Sequence, residues 1–600
     1  ELLVTGATEL TAQTVDLRNE HNNFSGPVIL DVAVQTDISD NNDLLLQGQS
    51  QILNTSVVGT LTAGELSIAS GTLIAGEINV NQLEVANSAE LQAGKVTQTQ
   101  ASQTGGSLTL RANEVDLAQA GNDFNGQIIL QNVDTATISD TNDLALSGRV
   151  NALLVNAQRI TQQQSQSGAL NVQGRADLRA ANIDLQNAAN NFGGVVDLQV
   201  SDTAQLRDVN NLVLQGDVGT LNVRASQLAQ AGSLTVRNNA TIEAAAVDLN
   251  HQANDFQGRL SLNVAGDAQV ADTNSLRVAG NVNTATMNAS TLIVDGLAAQ
   301  GNVTFNAAST GQSGVLSVAG ASTFNGDSIA LDNLANSFSD VVHLNLTGAA
   351  SITASGGLNV SGTATSVNAS ANSLSVSSLA SENIVLQADQ LELNNFSATG
   401  NLTLNGGNVI QQGALQVGGT TTLGASNVTL QDEANNFVGN VVLNSAGSVN
   451  LRDQQVIELQ GSAGSLNVQA GTAINQSGAL NVNGNSNLAA PTINLINTAN
   501  SFGGGVTVNA TQQATVNAIG DLLLGGNAAA LTVTAQNELD LSNSMLGSLN
   551  AAAQQIGQSA TVSVTGPTVL VAQGATLLDE GNDFNDTVTL NVAGQASIAD

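Results

Sequence analysis

The chain predicts an all-β protein, a parallel β-helix or β-solenoid of about 18–20 residues per coil running as a single elongated rod. Three observations predict it. A phenylalanine-centred block recurs eight times, the distances between blocks change in steps of about 18 residues, and apolar residues alternate with polar ones in runs of three to five. No segment shows a sustained helical period.

The block is anchored on Phe24, Phe124, Phe192, Phe256, Phe338, Phe437, Phe502 and Phe584. Each follows Asn plus Asn, Asp or Ser, as in NNFGGVVDLQV at 190–200, and six of the eight are followed two residues later by Gly. Position −7 from the Phe is Leu in every copy, from Leu17 to Leu577. Position +4 is always aliphatic, as are +6 and +14. Position +16 is Asp in six copies, Asp40, Asp140, Asp208, Asp272, Asp453 and Asp600, and Ala354 or Ala518 in the other two. Position +24 is Gly in all seven copies that reach it: Gly48, Gly148, Gly216, Gly280, Gly362, Gly461 and Gly526. Upstream, five copies share a Gly at −24 (Gly168, Gly232, Gly314, Gly413 and Gly478) in phrases such as QSGALNVQG at 166–174.

The spacings between successive phenylalanines are 100, 68, 64, 82, 99, 65 and 82. Six of these seven values fall within one of 64, 82 or 100. A globular domain accepts loop insertions of any length, whereas a solenoid lengthens by whole coils, because a partial coil throws later strands out of register. The step is therefore the coil. The blocks then hold about three and a half, four and a half and five and a half coils of about 18 residues, or three, four and five coils if coils run nearer about 20.

Within a coil, stretches such as NIDL at 182–185 and VDLQV at 196–200 have the period of short strands with one face buried. Gly, Asn, Asp and Ser lie between them, where tight corners need left-handed backbone or side-chain hydrogen bonds. Helical crossovers do not fit between strands so close together, so each strand is expected to pair with its counterpart one coil away. At about 4.8 Å per coil, about 30 coils make a rod of roughly 150 Å. Its narrow interior explains the 2% aromatic content, since a ring is not expected in every coil.

Composition is uniform from residue 1 to 600, which reads as one continuous array. The chain begins and ends inside the repeat and is expected to be an excerpt of a longer polypeptide. Only 10% of residues are charged, yet 48 acidic against 13 basic residues leave a formal charge of −35. Such a surface repels phosphate backbones and anionic headgroups, which argues against nucleic acid as a partner. The absence of cysteine excludes disulfides and thiolate metal sites. No apolar run approaches the roughly 20 residues of a membrane helix, so membrane insertion is not expected.

The recurrent Asp at +16 is the sharpest candidate for a functional carboxylate. Asp40, Asp140, Asp208, Asp272 and Asp453 are the calcium candidates, but their copies lie several coils apart and do not combine into one site. Neither a nonapeptide calcium repeat nor an EF-hand loop is present. Turn chemistry favours a corner-capping role for these aspartates, and for the Asn before each Phe, whose amide can bridge the backbones of neighbouring coils. His21, His251 and His343 share no register position. No catalytic triad, nucleophile elbow, zinc helix or phosphate loop appears. Acids are scattered singly and Trp and Tyr are absent, so neither a polysaccharide-processing enzyme nor a cofactor is expected.

The successive phrases QSGALNVQG, ANNFGG, VVDLQV and LRDVNNLVLQG resemble the repeat arrays of filamentous haemagglutinin-like exoproteins, large bacterial adhesins exported by two-partner secretion. The resemblance implies a right-handed β-helical shaft, secreted or held at the bacterial cell surface, with an outer-membrane transporter as its secretion partner. It implies a structural role in an adhesin or biofilm-matrix protein, in which a distal region meets a host or neighbouring-cell surface or a matrix polysaccharide. The competing expectation is a self-associating extracellular fibre, since an exposed coil edge templates pairing.

Overall fold

A computed structural model describing residues 1–600 is an all-β parallel solenoid, as the periodicity predicts. The one helical element is a single 3-10 turn, Gln166–Gly168. The chain falls into two internally packed sets of coils, Glu1–Gln300 and Gly301–Asp600.

In the first set, a representative coil holds three short β segments. Asn191–Phe192 comes first, and Val195–Arg207 follows, bent where its register shifts between Val200 and Thr203. Alternation places Val196, Leu198, Val200, Ala204 and Leu206 inside, each at most 2% exposed. Each segment pairs in parallel with the coil before and after it, Leu178 with Leu198 and Leu198 in turn with Gly216. Shorter coils occur, such as the one that carries Asn211 to Gln227. The longest, which carries Leu153 to Ala176, accommodates the 3-10 turn. That turn also accounts for the spacing of 68, the one value outside the series.

Following the inward rows corrects the half-coil arithmetic. From Val200, at +8 of the Phe192 block, the row runs through Val218 and Val236 to Phe256. From Val32, at +8 of the Phe24 block, it runs through Ser50, Ile68, Val85 and Thr104 to Phe124. Within this set a block therefore contains a whole number of coils plus one of the three faces, and the Phe that ends it stands one face further round than the one that began it. A half coil presumes two sides where the backbone makes three.

The second set obeys the same rule. Ala510 leads through Ala528, Leu546 and Val564 to Phe584. Ile352 at +14 leads through Ala369, Leu386, Leu404 and Leu423 to Leu443, which is +6 of the next block. Here the interior does accept rings in successive coils. Phe305 and Phe324 are paired in register and pack edge to face, with centroids 5.5 Å apart and planes at 75°. Edge-to-face packing suits the ring quadrupoles.

The two sets differ in how their charge is made up. Twelve of the 13 basic residues lie in 1–300, and Arg452 is alone in 301–600. In the first set several of them bridge carboxylates one coil away, as in Lys95 to Glu114 at 2.9 Å, Arg224 to Glu243 at 3.1 Å and Arg237 to Asp217 at 2.6 Å. No helix is long and apolar enough to cross a membrane.

Candidate functional site

The recurrent corner is built around Asn at −2, and Asn254 shows how. The chain leaves the strand Ala246–Leu249 through a short turn and re-enters at Asp255–Phe256, carrying the Asn254 side chain inward to full burial. Its Oδ1 accepts the amide of Leu234 in the coil before, at 2.9 Å. Its Nδ2 donates to the carbonyls of Leu249 in its own coil, at 2.9 Å, and of Ala271 in the coil after, at 3.2 Å. One side chain thus joins three coils. A buried amide is costly unless its donors and acceptors are met, and here all are met. Asn22, Asn122, Asn190, Asn336, Asn435, Asn500 and Asn582 occupy the same position, all buried.

Seven of these asparagines pair with a glutamine that the sequence reading missed. Gln230 Nε2 donates to Asn254 Oδ1 at 2.8 Å, Asn254 Nδ2 donates back to Gln230 Oε1 at 3.0 Å, and Gln230 also donates to the Gly232 carbonyl at 2.8 Å. Gln98, Gln162, Gln312, Gln411, Gln476 and Gln558 do the same for their blocks. A signal existed: in six of these seven copies the Gln stands at position −26 of its block. In the Phe192 block that position is Gln166, inside the 3-10 turn, and the pairing residue is Gln162 instead.

The aspartates at +16 close the corner from the following coil. Asp208 Oδ2 accepts the amide of Phe192 at 2.6 Å, and its Oδ1 accepts the amide of Asn210 at 2.6 Å. Asp40, Asp140, Asp272 and Asp453 hold the amides of Phe24, Phe124, Phe256 and Phe437 at 2.6–2.7 Å, each with a second amide two residues beyond the Asp. Asp600 holds Phe584 at 2.7 Å. Burial pushes the carboxyls of Asp140, Asp208, Asp272 and Asp453 above their ordinary value, and the two amide bonds pull each part of the way back. The calcium candidates therefore lie apart, each with both oxygens on backbone amides, and no three acidic or histidine side chains gather to hold a metal ion.

The glycine at +24 answers a steric demand. All seven have φ between 93° and 121°, and a Cβ on Gly216 would lie 2.1 Å from the Leu198 carbonyl oxygen one coil back. The histidines remain separate. His251 Nδ1 accepts the amide of Ala253 at 3.2 Å, and His343 Nδ1 lies 3.1 Å from Ser361 Oγ.

The geometry is that of a register clamp. It orders backbones, and its polar atoms face one another. Comparison with known proteins finds this rhythm in one repeat family, described as repeats of unknown function (DUF5649). Its profile matches residues 1–31, 38–131, 133–199, 201–263, 279–345, 381–444, 446–509 and 526–591. No curated protein and no solved structure matches the chain.

Proposed function

We propose that this chain, which belongs to the DUF5649 repeat family, is the non-catalytic structural shaft of a large secreted or cell-surface bacterial adhesin or biofilm-matrix protein. Its work is reach: stacked coils hold a distal binding region away from the cell. The observation that carries the reading is the clamp itself, because its Gln, Asn, Asp and Gly are consumed in joining one coil to the next. The likeness of the repeat phrases to filamentous haemagglutinin-like exoproteins supports an outer-surface location and export through an outer-membrane transporter.

Electron microscopy of the native, full-length protein on its producing cells tests this. Single thin rods projecting from the surface are expected. Regular fibres built from many chains would replace the shaft with the self-associating fibre, and retention inside the cell would remove the adhesin reading altogether.

A further inference from the structure

Two corners lack the clamp's carboxylate. At the Phe338 and Phe502 blocks, Ala354 and Ala518 stand at +16. The backbone there keeps the path of the other copies: Ser355 and Ile519 donate to the carbonyls of Asn336 and Asn500 at 2.8 Å, as Val209 donates to Asn190 at 2.9 Å. A methyl group thus stands where the aspartate side chain begins.

That methyl faces a donor. Ser339 and Gly503 send their amides back to the carbonyls of Val318 and Val482 in the coil before, at 3.0 and 2.8 Å. Successive amides of a strand point to opposite sides, so those of Phe338 and Phe502 point forward, as the amide of Phe437 does to reach Asp453 at 2.7 Å. An alanine accepts nothing. Each of these corners therefore lacks the bond from its Phe and the one from +18, both of them charge-assisted where the aspartate is present. A buried donor without an acceptor costs more than the bond alone.

Position +18 weakens the same turn. It is Asn42, Asn142, Asn210, Asn274 or Gln455 beside the aspartates, and Gly356 or Gly520 beside the alanines. The fold does not demand either glycine, since a Cβ on them meets nothing within 4 Å and neither has a left-handed backbone. Their effect is entropic: a glycine gives up more backbone freedom than any other residue when the turn is ordered.

We propose that these two corners are points of local opening built into the second set of coils. Each opens and closes on its own, while the clamped corner at Phe437, which lies between them in the chain, stays shut. In an array where a coil touches only its neighbours, a missing tie is felt where it is missing. The ties made by Asn336 and Asn500 are kept, to Leu316 and Leu331 and to Leu480 and Leu495, so an opened corner closes again in the same register. This inference does not rest on the shaft reading.

Native-state hydrogen exchange of the whole chain, read as protection factors, tests it. The amides of Ser339, Ser355, Gly503 and Ile519 are hydrogen-bonded just as those of Val438 and Gln454 at the clamped corner are, so a difference between them reports opening and not a missing bond. Protection is expected to be on the order of tenfold lower at the first four than at the last two. The variant Ala354→Asp with Gly356→Asn should bring Ser339 and Ser355 up to the level of Val438 and Gln454 and leave Gly503 and Ile519 as they were. Equal protection of all six amides in the wild type would overturn the proposal, and so would a folded variant in which Ser339 and Ser355 exchange as fast as before.

Discussion

At the residue scale the clamp makes unequal demands on its members. Asn254→Ala would strip partners from buried backbone groups in three coils at once, and a loss of roughly 3 kcal/mol is expected where unsatisfied buried groups are left behind. Hydrogen exchange at Leu234 and its neighbours measures it. The buried hydroxyls at −16 point the other way. Ser322, Thr421, Ser486 and Thr568 are at most 1% exposed and have no hydrogen-bond partner. Thr421→Val should therefore be neutral or stabilise by up to about 1 kcal/mol in denaturant unfolding. Acid is also expected to stabilise. The carboxyls of Asp140, Asp208, Asp272 and Asp453 are raised above 3.8 by burial. Their contribution is complete below the unfolded value and is lost as pH rises through the higher folded one. The thermal midpoint should climb from pH 7 toward about pH 4, and Asp208→Asn should flatten that climb. A midpoint that falls steadily on acidification contradicts it. The constancy of Asn, Asp and Gly was readable because each keeps a fixed distance from the Phe. Gln162 was not, because the inserted turn displaces it from that distance and puts another Gln there.

At the element scale, the strands were legible because alternation with small polar corners admits few other folds, and the inward rows fall where the pattern puts them. The exception in the block spacings yields an engineering test. Deleting residues 163–166 joins Gln162 to Ser167 and Gly168, which recreates the QSG phrase of the Phe338 and Phe502 copies and a spacing of 64. The side-chain bonds of Asn187 to the carbonyls of Gln163 and Ser165 are lost, but coil register is kept. The shortened chain should fold with unchanged circular dichroism and a midpoint close to that of the parent. A deletion of the same length within Val195–Arg207 should instead abolish protection in the adjoining coils, since no neighbouring strand can follow the slip.

At the scale of the whole molecule, charge divides the chain where composition looked even. Residues 1–300 carry 30 acidic and 12 basic side chains, and 301–600 carry 18 acidic and one basic. Salt screens attraction and repulsion together in the first set, and almost only repulsion in the second. Raising ionic strength from about 10 mM to about 150 mM should therefore increase hydrogen-exchange protection more in 301–600 than in 1–300, and the reverse order would refute the argument. The advance of the corner by one face per block was not legible in the sequence, since a residue count cannot distinguish a third of a turn from a half when coil length is itself unknown. Its consequence concerns how such a chain can change. Blocks of three, four or five coils all end on the next face, so inserting one coil within a set moves the coils that follow it there about 4.8 Å along the stack and returns the next corner to the same face. Block length and the face on which the next corner falls are thus independent variables of the repeat: gene duplication can lengthen a block without moving its closing corner to another face.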